Sequence, residues 1–190
     1  LYRMDLDGNH REQVQVLDDI SGLDPRFAIH RGYVYTTVLK SEVRNRQSYN
    51  VLEIKEYVLG QEDQEPHVIY SGEYTGDTRY YCRFRGNHMY VSVDNDEALE
   101  NTSFDRQFFS YDIATQEWEL IWEENLQWST RAYIVDETGA DILELQYIGE
   151  KSIQRVRLDF ATGARTELGE EYPLGDQSAS MIDGYVVIYT

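Results

Sequence analysis

Cysteine is all but missing from this chain of 190 residues: Cys82 stands alone, so no disulfide can form within it. Proline is also scarce, three in all, and with 41% apolar residues this excludes a disordered, Pro-rich chain. No apolar run approaches the roughly 18 residues of a membrane span. The segment Leu1-Tyr2-Arg3-Met4-Asp5 lacks the basic and apolar regions of a signal peptide. Lysine is rare as well, 3 against 14 arginines, and these 17 cations face 35 carboxylates. The net charge of −18 repels polyanions, which excludes nucleic acid and anionic bilayers as partners. Neither a GxSxG elbow, nor a phosphate-binding glycine loop, nor a metal-spaced histidine pair is present, so no catalytic nucleophile, cofactor or metal is expected.

What is present is aromatic and periodic. The 16 tyrosines, 6 phenylalanines and 3 tryptophans favour strands. Three segments read as a strand, a tight turn after an acid, and a second strand: around Asp5-Leu6-Asp7-Gly8, Asp112-Ile113-Ala114-Thr115 and Asp159-Phe160-Ala161-Thr162-Gly163. A fourth carries Glu56-Tyr57-Val58-Leu59-Gly60. With Asp5, Glu56, Asp112 and Asp159 taken as equivalent, the spacings are 51, 56 and 47 residues. Between these units a second hairpin turns at Gly32, Gly86, Gly139 and Gly184, where glycine suits a loop that needs positive φ. The best helical candidate, Glu117 to Gln127, alternates Trp118, Leu120 and Trp122 with acids at a period of two and reads as a strand.

A four-stranded antiparallel unit repeating about every 40 to 50 residues is the pattern of a β-propeller blade. The fold expected is all-β, with blades at about 1–17, 26–70, 79–123, 130–169 and 178–190: a half, three whole, and a half. Either the two halves pair and close a four-bladed ring, or the segment belongs to a larger propeller. The open edges also allow an edge-paired dimer in place of a monomer.

The run Leu1-Tyr2-Arg3-Met4-Asp5-Leu6-Asp7-Gly8-Asn9-His10-Arg11 resembles half of the repeat in low-density lipoprotein receptor (YWTD-type) propellers. The rest is similar to a bacterial family of unknown function named after that propeller, on Tyr111-Asp112-Ile113-Ala114-Thr115-Gln116-Glu117 and Leu158-Asp159-Phe160-Ala161-Thr162-Gly163. No Tyr-Trp-Thr-Asp tetrad is present, so the receptor's ligand chemistry is not carried over. The resemblance implies a non-catalytic bacterial propeller of roughly six to eight blades, exported or at the cell surface, its signal or anchor lying outside this chain.

Several residue groups are candidate sites. Asp5-Leu6-Asp7-Gly8-Asn9 misses the spacing of a calcium loop and reads as a capped turn. Asp94-Asn95-Asp96-Glu97 with Glu100 reads as a solvated acidic loop. His10, His30, His67 and His88 are scattered, Cys82 reads as a small core residue, and Arg79, Arg83 and Arg85 read as local ion-pair partners. The strongest grouping is positional. Links from the last strand of one unit to the first of the next carry Tyr74 with Asp77, Trp128, and Tyr172 with Asp176. Aromatic faces beside hydrogen-bonding groups suit a protein, peptide or glycan ligand. The function expected is therefore a non-catalytic extracytoplasmic binding module; the alternative is a carbohydrate-active propeller enzyme using paired carboxylates.

Overall fold

Alternating β-branched and aromatic residues, with glycine and acids confined to short breaks, leave the chain little choice but strands. The computed structural model describes residues 2–3, 9–10, 12–13, 23–61, 64–74, 78–95, 106–125, 130–146, 151–182 and 185–189, and every regular element among them is a strand. Strands β1 (Tyr2–Arg3) and β2 (Glu12–Gln13) form a two-stranded sheet. Strands β3 (Leu23–His30), β4 (Tyr33–Arg44), β5 (Gln47–Val58) and β6 (His67–Tyr74) form an antiparallel sheet in chain order. So do β7 (Thr78–Arg85), β8 (His88–Asn95), β9 (Arg106–Asp112) and β10 (Glu117–Glu124). In the next sheet β11 (Thr130–Val135), β12 (Gly139–Gln146) and β13 (Ser152–Asp159) are followed by an interrupted edge, β14 (Arg165–Glu167) and β15 (Tyr172–Pro173), both paired with β13. Strands β16 (Ser178–Ile182) and β17 (Tyr185–Tyr189) form a final hairpin. The chain divides into two compact units, Leu1–Gly76 and Asp77–Thr190.

Backbone hydrogen bonds fix the repeat more finely than the sequence does. The N–H groups of Leu59, Ile113 and Phe160 donate to the carbonyls of Gly32, Asn87 and Thr138, at 2.9, 3.0 and 2.9 Å. Val58, Asp112 and Asp159 are therefore equivalent, each opposite the first residue of the second strand: Tyr33, His88 and Gly139. The assignment of Glu56 to this position is corrected by two residues; Glu56 lies inside the ladder, opposite Tyr35.

The acid matters where it is present. Asp112 Oδ1 accepts from the N–H groups of Ala114 and Thr115 at 2.7 and 3.3 Å. Asp159 Oδ1 accepts from the Thr162 N–H at 2.8 Å and its hydroxyl at 2.7 Å, which holds the Asp159 carboxyl below its ordinary value. Each turn closes on a left-handed residue four positions on, Gln116 (φ 60°) and Gly163 (φ 69°). Glycine adopts that conformation without strain and glutamine does not. Replacing Gln116→Gly is expected to raise the urea midpoint by the equivalent of about 0.5–1 kcal/mol, and an unchanged midpoint would show that the turn carries no such strain.

The other turns need separate accounts. Gly32 (φ 84°) and Gly86 (φ 61°) have the positive φ expected of hairpin glycines. Gly139 does not, because Asp136 makes that turn instead: its Oδ1 accepts from the N–H groups of Thr138 and Gly139 at 2.8 and 3.1 Å. Glycine is needed at 139 for closeness, since a Cβ there would lie 2.0 Å from the Leu158 carbonyl oxygen.

In the first unit Val34, Tyr35, Leu52 and Ile54 are buried on β4 and β5. In the second, one core joins two sheets: Tyr90 and Phe108 meet Ala140, Ile142, Leu158 and Phe160, and β11 lies against β7 and β8. The expected Trp118-Leu120-Trp122 stripe does not form on one face. A β-bulge after Leu120 shifts the pairing with β9, so Leu120 is left exposed while Ile121 and Trp122 pack on the core. The Trp122 ring stacks at 6.4 Å on Phe160, which lies 5.1 Å from Phe108.

Candidate binding surface

An antiparallel meander of four strands has two distinct ends: the first and third turns close one, while the second turn and the exit to the next sheet share the other. The exits carry Tyr74, Asp77, Trp128, Tyr172 and Asp176. Asp77 and Trp128 lie outside the described residues. The other three fall in the separate units and are described one sheet at a time.

Tyr74 ends β6 and is only 5% exposed. Residues 70, 72 and 74 share one face of the strand by its period of two. The hydroxyls of Tyr70 and Tyr74 meet in a short hydrogen bond over Gly72, where a Cβ would lie 2.7 Å from one and 2.8 Å from the other. Burial pushes both phenols above the ordinary tyrosine value, Tyr74 the more because the Tyr70 hydroxyl adds to the effect. Tyr74 is thus a neutral, buried side chain held by Tyr70 within its own sheet.

Tyr172 and Asp176 are presented differently. Both are exposed, on a connection tied down by its backbone. The Leu174 N–H donates to the Lys151 carbonyl at 2.7 Å, the Gln177 N–H to the Leu174 carbonyl at 2.9 Å, and Lys151 Nζ to the Gln177 carbonyl at 2.8 Å. Leu174 is buried beneath the turn. The aromatic ring and the carboxylate therefore project from a fixed base, so that little loop entropy opposes a ligand settling on them.

At the corresponding end of the β7–β10 sheet lies an ion cluster that sequence reading missed. Arg106 is fully buried; its Nε and Nη2 donate to Asp94 at 2.6 and 3.2 Å, and its Nη1 stands 3.6 Å from Glu124. Arg165 of β14 donates to Glu124 and to Glu144, which links this sheet to its neighbour. Asp94 and Asn95 are consequently buried strand residues, not part of a solvated loop; Asp96, Glu97 and Glu100 lie outside the described residues. The only available signal was register, since Arg106 stands directly opposite both Asp94 and Glu124.

A second cluster closes the opposite end. Asp136 accepts from Arg85 at 2.8 Å and Arg157 at 2.7 Å, and Asp141 from Arg155 and Arg157 at 2.7 and 3.0 Å. Burial alone would raise the Asp136 carboxyl, but the Thr138 hydroxyl and N–H and the Arg157 guanidinium outweigh it and hold the group at about 2. The Tyr90 hydroxyl donates to Glu137 at 3.2 Å, and burial together with that carboxylate pushes it up to about 12.

Among the described residues the remaining candidates gather no metal-holding set. Cys82 is half-buried on β7, and His88 stands 3.6 Å from Asp112. The Asp5-Leu6-Asp7-Gly8 turn lies outside the described residues. Among the described residues no group of three or more His, Cys, Asp and Glu side chains is arranged to hold a metal, and no helix is long and apolar enough to cross a membrane. The sequence matches no protein-family model and no curated protein.

Proposed function

We propose that this chain is a β-propeller binding module that recognises a protein, peptide or glycan through the exits between its sheets. Strand numbers of two, four, four, interrupted four and two, in meander order, support the propeller reading, as does the packing of β11 on the preceding sheet. The observation that carries the binding reading is the exposure of Tyr172 and Asp176 on a connection fixed by three hydrogen bonds. An exposed aromatic on a fixed connection is a common hot-spot chemistry, and truncating such an aromatic costs about 2 kcal/mol, or roughly 30-fold in affinity. Trp128, Asp77 and Tyr74 belong to the same set by their place in the sequence repeat. The resemblance to exported bacterial propellers favours a setting outside the cytoplasm.

Glycan and peptide arrays probed with the intact chain test this reading. The expected result is retention of one ligand class, with at least tenfold weaker binding for Tyr172→Ala or Trp128→Ala and an unchanged melting curve. Retention of nothing on either array would overturn it, as would turnover of a glycan, which would favour the paired-carboxylate hydrolase.

A further inference from the structure

Strands β4 and β5 pair along their whole length, from Tyr33 opposite Val58 to Arg44 opposite Gln47. Among the described residues β3 accompanies them only as far as Leu39, and β6 only as far as Asn50. Residues 41–49 run on as a two-stranded ribbon, and Ser41, Val43, Arg44, Asn45, Arg46 and Ser48 are all exposed. One face of the ribbon is braced. Arg44 and Glu42 share that face by the strand's period of two. Arg44 donates to Glu42 at 2.9 and 2.5 Å and to Glu73 of β6 at 2.5 Å. Val43 and the opposing Ser48 hold the other face. Val43 is 74% exposed, more than any other large apolar side chain described in the unit Leu1–Gly76.

The turn at the tip carries an unexpected residue. A two-residue hairpin loop with positive φ at both positions favours Asn-Gly. Here Asn45 (φ 54°) is followed by Arg46 (φ 66°). Asparagine tolerates the left-handed region, whereas an arginine there is strained. Glycine would relieve the strain, yet position 46 holds a long cation with no ion pair or hydrogen bond among the described residues. A strained conformation kept where the fold makes no use of the side chain points to use by a ligand.

The local charge runs against that of the rest of the chain. Residues 43–49 hold two arginines and no acid, in a chain of net charge −18. Arg44 is engaged by Glu42 and Glu73, which leaves Arg46 as the cation open to a ligand. Gln47 lies three residues past Asn50, roughly 10 Å along the ribbon, which exceeds the Debye length of about 8 Å at physiological salt. A group meeting the tip therefore feels Arg46 more than the acidic body of the chain. The ribbon is convex and offers a small molecule no walls, but an extended chain can lie along it.

We infer that the tip of the β4–β5 hairpin docks an acidic peptide segment of a protein partner. A carboxylate of the segment pairs with the Arg46 guanidinium, and an aliphatic neighbour covers Val43. This surface lies outside the exits and is independent of what they bind.

The test is a peptide array probed with the intact chain, in which each peptide carries Asp or Glu beside Leu, Ile or Val. Each stands next to a copy with Asn or Gln in place of the acid. The acidic peptides are expected to be retained, and their neutral copies to bind at least tenfold more weakly. Arg46→Gly separates binding from folding. Glycine takes this φ without strain, so the urea midpoint should rise, while affinity for the retained peptides falls at least tenfold. Val43→Ser should weaken binding by a similar factor with unchanged circular dichroism, and Tyr172→Ala, in the other unit, should leave it unaltered. Retention of no acidic peptide would overturn the inference. So would binding that survives Arg46→Gly, or a preference for a DNA duplex or a sulfated glycan over the peptides. Loss of binding with Tyr172→Ala alone would also overturn it and assign the peptides to the exits.

Discussion

Arg106→Leu is expected to cost about 3–5 kcal/mol of folding stability at neutral pH, read from urea unfolding of the intact chain. The cost does not come from losing a favourable bond as such. Two charges taken out of water recover little more than their desolvation when they pair, so the bidentate Arg106–Asp94 contact adds little net stability of its own. Removing only the cation leaves the Asp94 carboxylate buried with nothing to answer it, while Glu124 keeps Arg165. One consequence separates this account from simple loss of packing against Phe108, whose ring lies 5.8 Å from the guanidinium. The double variant Arg106→Leu with Asp94→Leu should recover to within about 1 kcal/mol of the parent. A single substitution costing under 1 kcal/mol, or a double variant no better than the single, would mean that the cluster is not the element that fixes this end of the sheet.

The same cluster shows where sequence reading stops. Strands, their grouping and their approximate limits were legible because one pattern recurs: the three larger sheets span 23–74, 78–124 and 130–173, close to the expected 26–70, 79–123 and 130–169. Registers were not legible, since a register is a relation between two strands and no single strand carries it. Glu56 is the acid nearest the repeat spacing, but the true equivalent is Val58, a residue that caps nothing. The stripe on β10 read as continuous because a bulge adds a residue without marking the sequence. Gly139 is the right residue for a different reason, and Asp136, which makes that turn, carries no distinguishing sequence signal because an acid beside a turn is common. The candidate site divides in the same way. Tyr74 and Tyr172 have the same signature, an aromatic at the end of a fourth strand, yet one is buried against Tyr70 and the other is exposed. Strand phase decides between them, and phase depends on which face of the sheet is covered.

Asp136 provides the second large effect, and one with a defined pH window. Its carboxylate receives two backbone N–H groups, the Thr138 hydroxyl and two guanidinium groups, so it makes the turn before β12 and also ties β7 to the next sheet through Arg85. The folded value near 2 lies below the ordinary 3.8 of an aspartate. A carboxyl depressed by folding contributes stability above the unfolded value and loses it as pH falls through the folded one. The contribution is on the order of 2 kcal/mol at neutral pH and falls to a few tenths by pH 2. Asp136→Asn keeps the size of the side chain and an acceptor oxygen but discards the charge. It should therefore be less stable than the parent by about 2 kcal/mol at pH 7, with the difference narrowing between pH 4 and pH 2. Comparing parent with variant at each pH cancels the titration of the other carboxylates, including Asp159, whose value is also lowered. A constant difference across that window would assign the loss to turn geometry and not to charge. No difference at any pH would show that the Thr138 turn and the Arg85 and Arg157 contacts hold without the carboxylate.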